Sequence, residues 1–163
     1  MSDATVPRMS DPLIDTVAVS EPFEIVYQRE FRAMVRLASA LVDDQAEEVV
    51  QEAFAQLYLR YRSVSNPGAY ARMCVLNGCR KVLRRRRLAR RQPPPVEEYG
   101  NLGFNHVLDA VRALPTKQRN VVALRYELQL SDVEIAETLG VPVGTVKSTL
   151  HRALARLRTE VIR

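Results

Sequence analysis

Four polar side chains recur at helical spacing near the end of the chain. They are Lys147, Ser148, His151 and Arg152. Residues three and four apart lie on one face of a helix, and these side-chain types hydrogen-bond to base edges and phosphates when such a face enters a DNA major groove. The spacing favours a DNA-reading helix; the alternative is an ordinary helix pair with a solvated polar face. No metal site is predicted at His151, because the other histidine, His106, falls in a different predicted helix.

The residues around this face have the pattern of a helix-turn-helix. Ser131 and Glu134 form a capping box, which predicts that a helix begins at Ser131, and Gly140 suits its end. A short turn then leads into a second, longer helix. The predicted inner face of the first helix consists of Val133, Ile135, Ala136 and Leu139. The apolar positions of the second helix are Val146, Leu150, Ala153, Leu154 and Leu157.

Charge is distributed unevenly along the chain. Residues 1–79 carry a net charge of −4, residues 80–105 a net charge of +6 and residues 106–163 a net charge of +3. The basic block includes four consecutive arginines, Arg84 to Arg87. A run of one side-chain type cannot encode a base sequence, so these arginines are expected to bind phosphates. The acidic first half and the basic second half indicate two different partners, the second of them a nucleic acid.

Enzymatic chemistry has no support in the sequence. The chain lacks the patterns GxxxxGK[ST], HExxH and GxSxG and has no clustered histidines. Cys74 and Cys79 fit neither a zinc knuckle nor a CxxC redox motif, so we expect two reduced, partly buried thiols. We predict no catalytic, metal or cofactor site. No apolar run reaches the ~18 residues of a spanning helix and no signal pattern opens the chain, so we expect a cytoplasmic protein without membrane insertion.

Three helices are predicted in the first half of the chain. Ser20 is a candidate cap for the first helix and Asp43 and Asp44 for the second. Asn66 followed by Pro67 predicts the start of the third, which continues into the arginine run. The apolar positions of the first helix are Phe23, Tyr27, Phe31, Val35 and Ala38. Those of the second are Val49, Val50, Ala53, Phe54, Leu57 and Tyr61.

The whole chain is predicted to be all-α, because no β-branched run alternates apolar and polar residues between turns. Residues 1–19 are polar and are expected to form a disordered tail. Residues 20–89 form a first helical domain, a bundle of three or four helices, and residues 106–163 a second with the helix-turn-helix. Residues 90–105 contain three consecutive prolines and few apolar residues, which predicts a linker. We expect the two domains to move relative to each other when the protein is unbound.

Both halves resemble one protein family. The segment VVALRYELQLSDVEIAETLGVPVGTVKSTLHRALARL is similar to region 4 of the sigma-70 family of RNA polymerase sigma factors, and most of all to the extracytoplasmic-function (ECF, group IV) type. The segment DQAEEVVQEAF, residues 44–54, resembles the family's region 2 helix that docks on the polymerase. The residues from Pro67 to Arg87 resemble the part of region 2 that opens promoter DNA. The resemblance covers about residues 20–160.

This resemblance implies a factor that is not an enzyme, binds core RNA polymerase and directs promoter recognition and DNA opening. Promoter DNA is the second implied partner. An anti-sigma factor is a further partner that members of the family can have. The implied polymerase-binding residues are Glu47, Glu48, Gln51 and Glu52. The implied −10 DNA-binding residues are Arg62, Ser63, Asn66, Arg72, Asn77, Arg80, Lys81, Arg84, Arg85, Arg86 and Arg87, and the loop from Tyr61 to Asn66 is the one implied to capture a flipped base. The implied −35 DNA-binding residues are Arg125, Thr145, Lys147, Ser148, His151 and Arg152.

Four positions depart from the family pattern. Gln129 stands where the family often has glycine and Asp132 where it often has an aromatic residue, while Tyr70 and Met73 replace the tryptophan and arginine of many relatives. The departures at Gln129 and Asp132 do not touch the reading face. Those at Tyr70 and Met73 bear on individual promoter contacts, and the class is unchanged. From the residues alone, two other functions stay open: a stand-alone helix-turn-helix transcription regulator, and a structural RNA-binding protein that uses the arginine run.

Overall fold

The chain folds into seven α-helices over the residues that the structure, a computed structural model, describes: 21–90 and 104–162. The helices are α1 (Phe23–Val42), α2 (Ala46–Arg60), α3 (Pro67–Ala89), α4 (Phe104–Ala113), α5 (Thr116–Glu127), α6 (Asp132–Leu139) and α7 (Val143–Val161). Short 3-10 turns at Asp43–Gln45 and Tyr61–Ser63 separate α1, α2 and α3. Within these ranges there is no strand, which confirms the all-α prediction. The predicted tail and nearly all of the predicted linker lie outside the described residues.

The first three helices form one bundle. Its largest fully buried side chains include Met34, Leu37, Leu57 and Tyr70. The apolar stripe predicted for α1 is only partly correct, because Val26, Met34, Leu37 and Leu41 face the core while Tyr27 stays exposed. Phe23, Tyr27 and Phe31 instead form a row of rings beside α2, and the Tyr27 ring packs edge-on against Phe54 with 4.9 Å between the ring centroids.

The predicted helix starts hold in some places and fail in others. The Asn66 side chain accepts a hydrogen bond from the Ala69 backbone N–H at 3.0 Å, and Pro67 follows it, so the predicted cap of α3 is confirmed. The expected caps of α1 and α2 are wrong. Pro22, and not Ser20, occupies the N-cap position of α1, and Gln45 occupies that of α2. The carboxylates of Asp43 and Asp44 pair with arginines of other helices instead.

The C-terminal unit, α4 to α7, contains the predicted helix-turn-helix. The capping box is complete: Ser131 Oγ accepts from the Glu134 N–H at 3.2 Å, and a Glu134 carboxylate oxygen accepts from the Ser131 N–H at 2.8 Å. These hydrogen bonds lower the pKa of Glu134. Gly140 ends α6 in the left-handed conformation, with φ of 63°. The prediction for Val133 is wrong: it is 63% exposed, and Thr138 is buried on α6 in addition to Ile135 and Ala136.

α4 begins the C-terminal unit, and a buried arginine of α5 satisfies the carbonyls at its end. α4 begins at Phe104, so the last two residues of the predicted linker are helical. Arg119 on α5 is only 2% exposed. Its guanidinium donates to the backbone carbonyls of Arg112 and Leu114, both at 3.2 Å. These bonds satisfy the buried charge and the free carbonyls at the end of α4 together.

The two units pack against each other. α5 and α4 lie against α1, and α6 lies against α3. One cluster of buried side chains runs through both units and includes Val121, Leu124 and Ile135 from the C-terminal one. At the edge of this interface Arg112 donates to the Asp43 carboxylate at 2.6 Å and to the Ala40 carbonyl at 3.1 Å. The structure therefore describes a closed arrangement, and the expected movement of the two units stays a prediction.

Gln129 adopts a left-handed backbone conformation, with φ of 54°, in the turn between α5 and α6. A non-glycine residue is strained there, so Gln129→Gly should raise the free energy of unfolding by about 0.5–1 kcal/mol, measured by urea denaturation. Gly140→Ala, at the left-handed residue that ends α6, should lower it by about 1 kcal/mol. Equal losses in both variants would contradict this explanation.

Candidate nucleic-acid interface

The four polar residues predicted to share a face of α7 do share it. Lys147, Ser148, His151 and Arg152 are all exposed, as is Thr145 at the start of the helix. The opposite side of α7 is anchored by the buried side chains of Val146, Thr149 and Ala153. Ser148 Oγ donates to the Thr145 carbonyl at 3.2 Å, and Arg152 Nε donates to the Ser148 carbonyl at 3.3 Å. The face therefore presents donors and acceptors on a rigid helix open to solvent.

Arg125, the remaining residue of the predicted −35 set, is placed differently. It lies on α5, half-buried, and its Nη2 donates to the carboxylate of Asp132 at the start of α6. Its Nε is buried without a hydrogen-bond partner. A guanidinium paired with a carboxylate within the molecule presents little net charge to DNA. Asp132 is thus the intramolecular partner of Arg125. The sequence pattern did not reveal this pairing.

The acidic residues of α2 form a solvated row. Glu47, Glu48, Gln51 and Glu52 are all exposed. The other side of the helix is buried in the bundle. Two further exposed residues continue this row: Tyr58 is 64% and Leu59 is 84% exposed. They lie one to two turns beyond Glu52 on the same side of α2, and the sequence analysis did not single them out. One feature of the sequence could have indicated their exposure: neither Tyr58 nor Leu59 belongs to the predicted apolar stripe of α2.

The four arginines of the run on α3 differ in exposure. Arg84, Arg85 and Arg87 are exposed. Arg86 is half-buried, and its Nη2 donates to the Val42 carbonyl at 2.8 Å and to the Asp44 carboxylate at 2.9 Å. Arg86 thus ties the end of α3 to the turn after α1, and three arginines of the run remain exposed. The phosphate-binding role expected for the run stays a prediction.

The remaining residues of the predicted −10 set do not all face solvent. Arg62, Ser63 and Arg80 are exposed, while Asn77 and Lys81 are half-buried. Asn77 and Lys81 line a cleft of about 590 Å³ between α2 and α3, together with Arg85 and with Glu48, Gln51 and Glu52. The acidic row of α2 and the basic side of α3 thus meet along one cleft.

Asn66 and Arg72 lie against the C-terminal unit. Asn66 Nδ2 donates to Glu137 Oε1 at 2.7 Å, and Arg72 Nε donates to Thr138 Oγ1 at 3.0 Å. Both hydrogen bonds join α6 to the start of α3. Two residues predicted to contact DNA are therefore partly covered in the closed arrangement, and neither Glu137 nor Thr138 was singled out by the sequence.

Other site types find no support in the described residues. Over 21–90 and 104–162, no three histidine, cysteine, aspartate or glutamate side chains are grouped so that they could hold a metal ion. None of the helices in that part of the chain is long and apolar enough to cross a membrane. Cys74 and Cys79 are free and buried, and burial raises the pKa of both thiols to about 12.

Comparison with known families identifies the two units. Residues 26–89 match the family model "Sigma-70 region 2", and residues 105–157 match "Sigma-70, region 4". The chain is 37% identical to the RNA polymerase sigma-E factor of Streptomyces coelicolor over 155 residues, 86% of each chain. It is 35% identical to the sigma-E factor of Streptomyces antibioticus over 153 residues, 85% of this chain and 84% of that protein.

A solved structure shares the fold across both units. The Bartonella quintana sigma factor RpoE, determined in complex with the anti-sigma factor NepR, superposes with a TM-score of 0.65 at 24% identity and covers 85% of this chain and 96% of that one. CnrH in complex with the cytosolic domain of CnrY gives the same TM-score over 84% of this chain and 85% of that one.

With a region 2 bundle followed by a region 4 helix-turn-helix, the chain belongs to the sigma-70 family of RNA polymerase sigma factors. Within that family it is of the ECF type, as its similarity to factors named ECF RNA polymerase sigma factors indicates, and it directs promoter recognition by RNA polymerase. Its partners are core RNA polymerase and promoter DNA. The two other functions that the residues left open, a stand-alone regulator and a structural RNA-binding protein, are thereby set aside.

The Arg125–Asp132 pair yields a prediction about duplex DNA. Asp132→Asn removes the charge that neutralises Arg125, so the variant should bind duplex DNA more tightly at low salt. It should also steepen the plot of log K against log salt by about 0.9, the slope of one further phosphate contact. Fluorescence anisotropy at several salt concentrations measures both quantities. Glu127→Gln removes one negative charge from α5 and serves as the control; an equal change in slope there would contradict the pairing argument.

Proposed function

We propose that the two units divide the promoter between them, with α7 reading the −35 element and α3 with its preceding loop capturing the −10 element, while α2 binds core polymerase. The observation that carries this proposal is the exposed polar face of α7, supported on its other side by Val146 and Ala153. A face of this kind, on the second helix of a helix-turn-helix, fits the major groove.

The proposed reading contacts come from α7. Arg152 can form a bidentate pair with a guanine, a contact that discriminates against other bases by about 1–3 kcal/mol. Ser148 and His151 lie one turn or less from Arg152 and can bind base edges or phosphates. Lys147, exposed on the same helix, supplies charge for a phosphate. Position 152 is therefore the one expected to carry most of the sequence specificity.

The proposed role of α3 is to hold DNA by charge while strands separate. Arg84, Arg85 and Arg87 are exposed at its end and suit phosphate contacts. Capturing an unpaired base costs a few kcal/mol of unstacking, which new contacts must offset. The exposed Arg62 and Ser63 precede α3 in the turn and loop where such a base would enter. Ser63 Oγ donates to the Arg60 carbonyl at 2.9 Å, which orders that turn.

The proposed polymerase surface is the exposed row on α2. Glu48, Gln51 and Glu52 are placed to pair with basic side chains of the core enzyme. Tyr58 and Leu59 extend the row and add apolar area at one end, a composition typical of protein interfaces with aromatic anchors. Acidic groups steer the encounter, and the apolar end contributes to the lifetime of the complex.

We further propose that the factor acts without catalysis of its own, in the cytoplasm where RNA polymerase works. The sigma factor RpoE of Bartonella quintana is found in complex with an anti-sigma factor, and we propose that this chain also accepts such a partner.

The direct test combines the purified protein with core RNA polymerase and genomic DNA. Transcripts should start at discrete promoters only when the protein is present, and their start sites give the −10 and −35 sequences. A protein that bound DNA but conferred no initiation on core enzyme would contradict the proposed division of the promoter.

Charge reversal tests the polymerase surface. The double variant Glu48→Lys and Glu52→Lys should weaken binding to core polymerase by at least tenfold in a titration, because both carboxylates are exposed and would face basic groups. Helix content by circular dichroism should stay unchanged. Reversal of Glu24 and Glu160, which are exposed on α1 and α7, is the control. Unchanged affinity in the α2 variant would mean that the row is only a solvated surface.

Two DNA-binding variants separate sequence reading from charge. Arg152→Ala should lose about 1–3 kcal/mol on a duplex with the mapped −35 element and much less on a scrambled duplex. Replacing Arg84 and Arg85 by alanine should weaken promoter binding equally for both sequences and flatten its salt dependence. Anisotropy at two salt concentrations compares them. If Arg152→Ala loses the same affinity on both duplexes, Arg152 binds only phosphate.

A further inference from the structure

A further basic surface lies in a cleft of about 1190 Å³ between the end of α3 and the C-terminal unit. The end of α3 forms one wall, and α4 with the end of α7 forms the other. That volume is close to the range of about 300–1,000 Å³ that is typical of small-molecule sites. The arginines that line the cleft are Arg86, Arg87, Arg90, Arg112 and Arg156.

Two of these five arginines are neutralised within the molecule. Arg112 donates to the carboxylates of Asp43 and Asp109, at 2.6 and 3.4 Å. Arg86 donates to the carboxylate of Asp44 at 2.9 Å. These pairs hold both guanidiniums at the sides of the cleft, so the other three arginines determine its net charge.

Over residues 21–90 and 104–162, those three arginines form no ion pair. They are Arg87, Arg90 and Arg156, and all three are exposed. Glu160, one turn beyond Arg156 on α7, is the carboxylate that lines the same cleft without an arginine partner in this part of the chain. Three arginines and one glutamate leave the cleft with a net charge of +2.

A sixth guanidinium adds positive charge from inside the C-terminal unit. Arg119 is buried, and it donates to the carbonyls of Arg112 and Leu114, two residues that line the cleft. Burial lowers the pKa of Arg119, and the charges of Arg87 and Arg80 act in the same direction. These like charges repel one another, and an anion bound beside them would relieve that repulsion.

The ends of two helices are the groups that would oppose an anion in this cleft. α3 and α4 both end there, and free carbonyls at a helix C-terminus carry partial negative charge. The carbonyls of Arg112 and Leu114 are satisfied by Arg119, and the Arg86 carbonyl accepts from the Arg90 N–H at 3.0 Å. The arginine side chains, and not free carbonyls, therefore determine the charge of the lining.

We propose that this cleft binds a small anion with two or more linked phosphate groups, either a free polyphosphate or the phosphate chain of a nucleotide. Guanidinium groups match phosphate oxygens through paired hydrogen bonds. Arg87 and Arg90 approach the ligand from α3 and Arg156 from α7, so it contacts both units. Leu83 and Pro115 offer apolar area for a sugar or base. This ligand site goes beyond the proposed promoter role and does not depend on it.

The test titrates the full chain with inorganic tripolyphosphate, guanosine triphosphate and orthophosphate by calorimetry at constant ionic strength. Tripolyphosphate should bind at one site and raise the melting temperature, because a ligand of the folded state stabilises it. Orthophosphate should bind at least about tenfold more weakly, since one phosphate group cannot contact both walls. Tighter binding of the nucleotide would identify the nucleoside as part of the ligand; otherwise the phosphate chain alone is recognised.

The double variant Arg90→Gln with Arg156→Gln should weaken tripolyphosphate binding at least about tenfold and remove the rise in melting temperature. The matched control, Arg32→Gln with Arg158→Gln, removes the same charge from exposed positions on α1 and α7 that do not line the cleft. It should change the affinity less than twofold. All four positions are exposed, and circular dichroism of the unliganded variants checks their folding.

Three results would overturn the inference: no saturable binding of tripolyphosphate, equal binding of orthophosphate, or an equal loss of affinity in the control pair. A fourth concerns DNA. If a random-sequence duplex displaces tripolyphosphate and the Arg90 and Arg156 variant loses duplex affinity by the same factor, the cleft is part of the DNA-binding surface and not a site for a small ligand. Failure of the wild-type protein to start transcription with core polymerase would count against the proposed function alone, because the titrations contain neither polymerase nor a promoter.

Discussion

The arrangement of this molecule depends on one apolar surface that is buried between its two helical units. The three helices of the first unit leave sides of α1 and α3 uncovered, and α5 and α6 close them. Val121, Leu124 and Ile135 join the same cluster as the core of the first bundle. Full burial of such a side chain contributes about 1.5–3 kcal/mol, so a few of them suffice to hold two small units together and yet allow them to part.

Buried polar groups affect how easily the two units can separate, because each must keep or replace its hydrogen-bond partner. Over the described part of the chain, the buried polar residues are Arg119, Thr138 and Thr149. Arg119 is satisfied within the C-terminal unit by two carbonyls, so it remains paired when the units separate. Thr138 is instead bonded to Arg72 of the other unit. The buried polar contact of Arg119 is thus local to one unit, whereas that of Thr138 crosses the interface and is exchanged for water when the units separate.

The close packing of α2 on α3 brings opposite charges onto one small bundle. A side chain at Gly78 would place its Cβ 2.7 Å from Val49 Cγ1, so the absence of a side chain allows the two helices to approach. The acidic row on α2 and the basic side of α3 consequently border a common cleft. A protein partner and a nucleic acid can then be bound side by side, which a factor that joins polymerase to a promoter requires.

The sequence by itself determined the local elements and the class of protein. Asn66, Ser131, Glu134 and Gly140 act through hydrogen bonds and backbone angles within a few residues of themselves, so their roles could be predicted and are confirmed. The polar face of α7 followed from helical spacing alone. Only the tertiary structure decided which residues of different elements meet: that Asp132 pairs with Arg125, that Arg86 pairs with Asp44, and that Glu137 and Thr138 cover Asn66 and Arg72. Val133 was misplaced for the same reason, because a short helix packed on two sides does not follow a single apolar stripe. Periodicity fixes which residues share a face, but the neighbour of that face depends on how whole helices pack.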